Sequence, residues 1–237
     1  KTACWRCWPR CSATSSRCAD RMKNALFLIA VSALWTCATA GNVQIQVLDK
    51  DGKPVPDAVV VLYPATAGNP SLLPPNPAVE QEKMRFVPAV SVVATGTTVR
   101  FVNRDTWDHH VRGTAAGAAA FQMATDGTGF ELRLAGKLDG KPASAENVRM
   151  EKPGPVLLSC HLHGSMRGHV YVTDSGWTLK TDADGLARFP NVPDGPARMR
   201  VWHADQLIDL PQRTLQVSPA VVQDMVQLGV VPRRRRG

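Results

Sequence analysis

One short stretch holds most of the residues that could do chemistry. It reads Val156-Leu157-Leu158-Ser159-Cys160-His161-Leu162-His163-Gly164-Ser165-Met166-Arg167-Gly168-His169. Within seven residues it offers a thiolate, two imidazoles and a thioether, with Cys160, His163 and Met166 spaced three apart. Soft sulfur combined with imidazole suits copper, and one Cys, two His and a weak axial Met form the ligand set of a blue-copper electron-transfer site. A further imidazole has to come from elsewhere in the chain. Phe101-Val102-Asn103-Arg104-Asp105-Thr106-Trp107-Asp108-His109-His110-Val111 supplies two candidates just beyond a strand signal. The residues alone leave His109, His110, His161 and His163 all open as imidazole donors.

These residues need a framework, and the surrounding text is that of an all-β protein. Val43 to Val47 alternates apolar and polar, a turn signal follows at Asp49-Lys50-Asp51-Gly52, and Val59 to Leu62 reads as the next strand. Residues 64 to 77 hold five prolines, too many for a regular element, and read as a surface connection. Strand signals resume at 85–87, 90–94, 97–103, 130–134, 156–160 and 169–173. The run from Ala115 to Ala120 is broken by Gly117 and reads as loop or one turn. A strand thus runs into Cys160 and another leaves from Gly168, so one tight loop would present Cys160, His163 and Met166 at the end of a sandwich.

At this point the text resembles the cupredoxin, or blue-copper, family. Cys160-x-x-His163-x-x-Met166-Arg167-Gly168 and Asn103-Arg104-Asp105 followed by His109 are similar to the ligand loops of its amicyanin-type branch, and together they span about 90 residues. The resemblance implies a Greek-key β-sandwich and one copper ion cycling between Cu(I) and Cu(II). It also implies the ligands His109, Cys160, His163 and Met166, with His110 and His161 as alternates. The chain departs from that branch where His110 replaces an Asn, and where Leu162 and Gly164 replace prolines. More loosely, residues 42 to 228 resemble exported cupredoxin-domain proteins labelled methylamine-utilisation proteins. The turns Asp182-Ala183-Asp184-Gly185 and Asp194-Gly195 resemble half of a small sandwich of the carboxypeptidase regulatory-like kind.

The expected organisation is therefore a discontinuous regulatory-like β-sandwich from residues 42–64 plus 176–229, interrupted by a cupredoxin domain over 80–174. A single elaborated sandwich is the alternative. Met22, Lys23, the apolar run from Ala25 to Trp35 and Ala38-Thr39-Ala40 give the order of a secretory signal, expected over 22–40. Residues 1–21 then read as non-native sequence upstream of the true start. Export implies a periplasmic location, with no stable membrane insertion after cleavage. Five of the six cysteines fall within the first forty residues, leaving Cys160 alone in the body.

Charge narrows the partners. The formal net charge of +8 is concentrated at the ends, and between Gly41 and Pro232 there are 18 basic against 19 acidic residues. Such a body is not a nucleic-acid binder. The basic tail at 230–237, with Arg233 to Arg236 after Pro232, reads as a solvated end. The sequence carries no nucleophile triad, catalytic carboxylate pair or phosphate loop, so no enzyme is expected. A monomeric electron carrier with a redox partner protein is the first expectation. A copper-binding or copper-delivery protein without a carrier role is the alternative, and a scaffold module is a third.

Overall fold

The computed structural model describes residues 40–66, 72–117 and 129–230. The expected upstream segment, all of the signal peptide except Ala40, the second half of the alanine run and Arg233 to Arg236 lie outside the described residues. Among those described, every regular element is a strand, and none is a helix long and apolar enough to cross a membrane.

The strands in chain order are β1 (Ala40–Leu48), β2 (Val59–Pro64), β3 (Ala78–Glu82), β4 (Arg85–Val87), β5 (Val90–Ala94), β6 (Thr98–Asn103), β7 (His109–Ala115) and β8 (Phe130–Leu134). They continue with β9 (Ala145–Arg149), β10 (Gly154–Cys160), β11 (Arg167–Thr173), β12 (Thr178–Lys180), β13 (Leu186–Pro193), β14 (Gly195–Trp202), β15 (Arg213–Val217) and β16 (Val222–Gln227). Four sheets result, ordered β13-β1-β16, β12-β2-β14-β15, β5-β11-β10-β7-β8 and β4-β3-β6-β9.

The first two sheets enclose one core. Val43, Ile45 and Val47 of β1 face Val60 and Leu62 of β2, with Trp177, Phe189, Met199 and Val217 completing it. The other two sheets enclose a second core built on Val79, Phe101, Val111, Leu134, Leu158, Val170 and Val172. Strand β2 explains how the sandwiches meet. Val59 to Leu62 is a continuous apolar run, fully buried on both faces, a pattern expected only of a strand covered on both sides. Val60 and Leu62 enter the first core, while Val59 and Val61 turn the other way. There they pack with Val90 and Val92 of β5, Tyr171 of β11 and Trp202 of β14 in a third apolar seam.

The chain passes from β11 to β12 through this seam with its polar groups satisfied. Ser175 Oγ donates to the Leu62 carbonyl at 2.6 Å, and Thr178 Oγ1 donates to the Ser175 carbonyl at 2.7 Å. Lys180 Nζ reaches Asp57 Oδ1 at 2.6 Å and, from across the seam, the Val90 carbonyl at 2.7 Å.

Three strands, β3, β7 and β9, fall where the sequence gives no strand signal; His109 and His110, expected in a loop, open β7. In β3, Gln81 is fully buried, so the apolar alternation fails there even though the residue faces inward. In β9 only Val148 carries an apolar side chain larger than alanine, and it packs against the second core. The proline-rich connection is also less superficial than expected, because Leu72 packs against the first core and Leu73 against the seam.

Candidate metal centre

Two loops at one end of the second sandwich make the site. Strands β7 and β10 are antiparallel neighbours with Cys160 opposite Val111. The loop entering β7 and the loop leaving β10 therefore emerge side by side. Residues on a strand alternate in direction. His109 points inward with Val111, and His110 points outward with Arg112.

The structure brings His109, Cys160 and His163 together, with one ligand atom from each lying within 4.8 Å of the others. Cys160 Sγ is 3.6 Å from His109 Nδ1 and 3.5 Å from His163 Nδ1. The donor and acceptor roles in these two contacts depend on which ring nitrogens carry protons, and the near-equal distances also suit a shared cation. An imidazole nitrogen at about 2.0 Å and a thiolate at about 2.3 Å from one first-row ion, spread at about 120°, would lie about 3.7 Å apart. The two observed separations match that span. The donors also fit copper by type, since thiolate and imidazole are its preferred ligands. Cys160 and His109 are buried, while His163 is partly exposed and forms the solvent side of the group.

Met166 is buried with Cys160 in the second core, and its N–H donates to the His163 carbonyl at 2.9 Å, closing the turn that carries all three residues. His110 and His161 do not join the trio. They meet each other on the outer face of the sheet, ring centroids 5.5 Å apart, and the His161 N–H donates to the His110 carbonyl at 2.9 Å.

The sequence names Asp105 without giving it a task, and the structure supplies one. Asp105 Oδ2 lies 2.9 Å from His109 Nε2, so this carboxylate takes one imidazole nitrogen and leaves Nδ1 facing the Cys160 sulfur. Burial alone would raise the Asp105 carboxyl. The Met84 N–H, the His109 imidazole and the Lys83 N–H outweigh burial and hold it below the usual carboxylate range. A carboxylate four residues before a histidine, in a loop leaving a strand, was the available signal.

Asn103 pins the same loop. It is fully buried, its Nδ2 serves the carbonyls of Trp107, Leu134 and Ala135 at 2.8–3.1 Å, and its Oδ1 accepts the Asp105 N–H at 2.9 Å. Asp108 Oδ1 accepts from the Gly136 N–H at 2.8 Å, and a Cβ at Gly136 would overlap the Thr106 carbonyl. These bonds fix His109 before any ion arrives. The histidine loop is thus held by hydrogen bonds, and the cysteine loop by the strands on either side of it.

No family model matches the chain, and no curated protein matches it. Among solved structures it is similar to a reduced amicyanin variant at 22% identity, covering 48% of this chain and 98% of that one with a TM-score of 0.29. It is similar to an oxidised amicyanin variant at 20% identity, covering 49% and 99% with a TM-score of 0.30. It is also similar to a copper-containing nitrite reductase from Thermus scotoductus SA-01 at 23% identity and a TM-score of 0.32, covering 47% of this chain and only 25% of the reductase.

Proposed function

We propose that this chain is a periplasmic electron carrier that holds one copper ion on His109, Cys160 and His163, with Met166 as a weak fourth ligand. The observation that carries the reading is the placement of two imidazole nitrogens 3.5–3.6 Å from one buried thiol. Copper bound there would supply one-electron chemistry, moving between Cu(I) and Cu(II). The residues of the chain supply the rest. Asp105 orients His109, the strands β10 and β11 fix the ends of the loop carrying Cys160 and His163, and the apolar core around Cys160 keeps water off the sulfur. A donor set held this firmly changes little between oxidation states, which keeps electron transfer fast.

Electrons would leave by the partly exposed His163, beside Leu162 at 56% exposure, with the exposed Trp107 on the neighbouring loop. This surface suits a protein redox partner. Export rests on the signal-like order of residues 22–40, and the methylamine-utilisation-like role on the sequence resemblance. The test is the visible spectrum of the copper-loaded chain. An intense thiolate-to-copper band that bleaches on reduction and returns on oxidation supports the reading. A colourless protein that binds copper without cycling overturns it.

A further inference from the structure

We propose a second, solvent-facing site for a divalent transition-metal ion, formed by His110 and His161 with Glu131 behind it. The register puts the two histidines together. Cys160 pairs with Val111 across antiparallel strands, and the next pair outward is His161 opposite His110, joined by the 2.9 Å backbone bond. Directly opposed residues on one face of an antiparallel pair have Cβ atoms about 4.5–5.5 Å apart. That spacing lets two imidazoles close on a single ion after rotation about their side-chain bonds. The ring centroids lie 5.5 Å apart, with the planes tilted by 33°.

The carboxylate arrangement at His109 recurs here. Glu131 Oε2 lies 3.2 Å from His110 Nε2, leaving His110 Nδ1 as the donor, as Asp105 does for His109. Arg112 Nε holds the same carboxylate at 2.7 Å and fixes it in place. Both histidines line a cavity of about 520 Å³ that also reaches His109, with Asp108 and Arg133 as its charged walls. Two imidazoles backed by a carboxylate and lacking thiolate suit Cu²⁺, Ni²⁺ or Zn²⁺ rather than a hard cation or a soft monovalent one. The ion would sit at the mouth of the cavity, within a residue's step of the buried site.

The test titrates the full chain with Cu²⁺ while recording the electron paramagnetic resonance spectrum. The wild type should take up two equivalents, the second giving a signal of nitrogen-ligated copper without thiolate character. His110→Ala and His161→Ala should each weaken the second equivalent at least about tenfold and leave the first in place, and Glu131→Gln should weaken it about tenfold. Cys160→Ser should remove the thiolate signal and keep the second equivalent, which separates this site from the copper-carrier reading. Circular dichroism checks that each variant is folded, and His110→Asn and His161→Asn replace any alanine variant that is not. Uptake of a single equivalent by the wild type, or a second equivalent that survives both His110→Ala and His161→Ala in folded protein, overturns the proposal.

Discussion

Asp105, in the loop entering β7, stands four residues before His109, the first residue of that strand, and the 2.9 Å contact between Oδ2 and Nε2 decides which imidazole nitrogen faces Cys160. The carboxylate also accepts the N–H groups of Lys83 and Met84 at 2.6 and 3.0 Å, one at each oxygen. It therefore ties the β3–β4 turn to the histidine loop. An amide in its place would turn an NH₂ group toward at least one of these donors. Asp105→Asn is expected to destabilise the chain by roughly 1–3 kcal/mol, since a buried donor loses its acceptor. It should also weaken metal binding by about 10–100-fold. Chemical denaturation and a copper titration of the folded variant check the two effects separately. Unchanged copper affinity would show that His109 is oriented without its carboxylate.

Replacing Cys160 with Ser should abolish the thiolate-to-copper absorption while leaving the far-ultraviolet circular dichroism of a β protein intact. The second core keeps Phe101, Leu134, Leu158 and Val170 without the sulfur. A variant that retained an intense visible band would place the metal elsewhere. Replacing His109 should remove the same band, whereas replacing His110 should leave it, because the two side chains point to opposite faces of β7.

That last contrast shows where the sequence is legible. The all-β class follows from strands such as β1, whose Val43, Ile45 and Val47 alternate with Asn42, Gln44 and Gln46 and bury on the apolar side. The meeting of Cys160 and His163 follows from their shared loop. The meeting of either with His109 depends on β7 lying beside β10, a long-range pairing that local text does not encode. His109 and His110 are chemically identical neighbours, and only the parity set by Val111 separates them. Gln81 defeats the reading of β3 for the opposite reason, since a polar side chain occupies a fully buried position and donates from Nε2 to the Val79 carbonyl.

The strand order predicts how proteases will treat the chain. β1 lies between β13 and β16, and β2 lies between β12 and β14, so the strands after Gly176 cannot close their sheets without the two strands at the start. Limited proteolysis is therefore expected to release no stable fragment spanning 176–229 alone. Recovery of such a fragment with native-like circular dichroism would mean that β1 and β2 are dispensable to that core.

The seam between the sandwiches gives a test of its own. Trp202 is buried there against Tyr171 and His169, with ring centroids 5.4 and 5.5 Å away. Trp202→Ala should cost roughly 3–5 kcal/mol in stability. Because Trp202 packs on the outer side of the sheet that carries Cys160, the copper spectrum of the folded variant should hardly change. A large spectral shift would show that the seam transmits strain to the site.

The same seam should make stability depend on pH. Burial pushes the imidazoles of His169 and His203 down, more than the nearby Asp205 raises them, and each histidine keeps its proton less readily than in the unfolded chain. His203 and Arg167 add to the effect at His169, while Asp57 and the Pro56 backbone oppose it at His203. The unfolded chain, with histidines near their ordinary pKa of about 6.5, then binds more protons than the folded one just below that pH. The stabilisation is thus present above about pH 6.5 and lost as the pH falls toward the lower folded values. Thermal melts between about pH 7.5 and pH 5 should show a falling Tm in the wild type, and the double variant His169→Gln, His203→Gln should show a shallower fall. Equal slopes in the two proteins would assign the acid sensitivity to groups outside the seam.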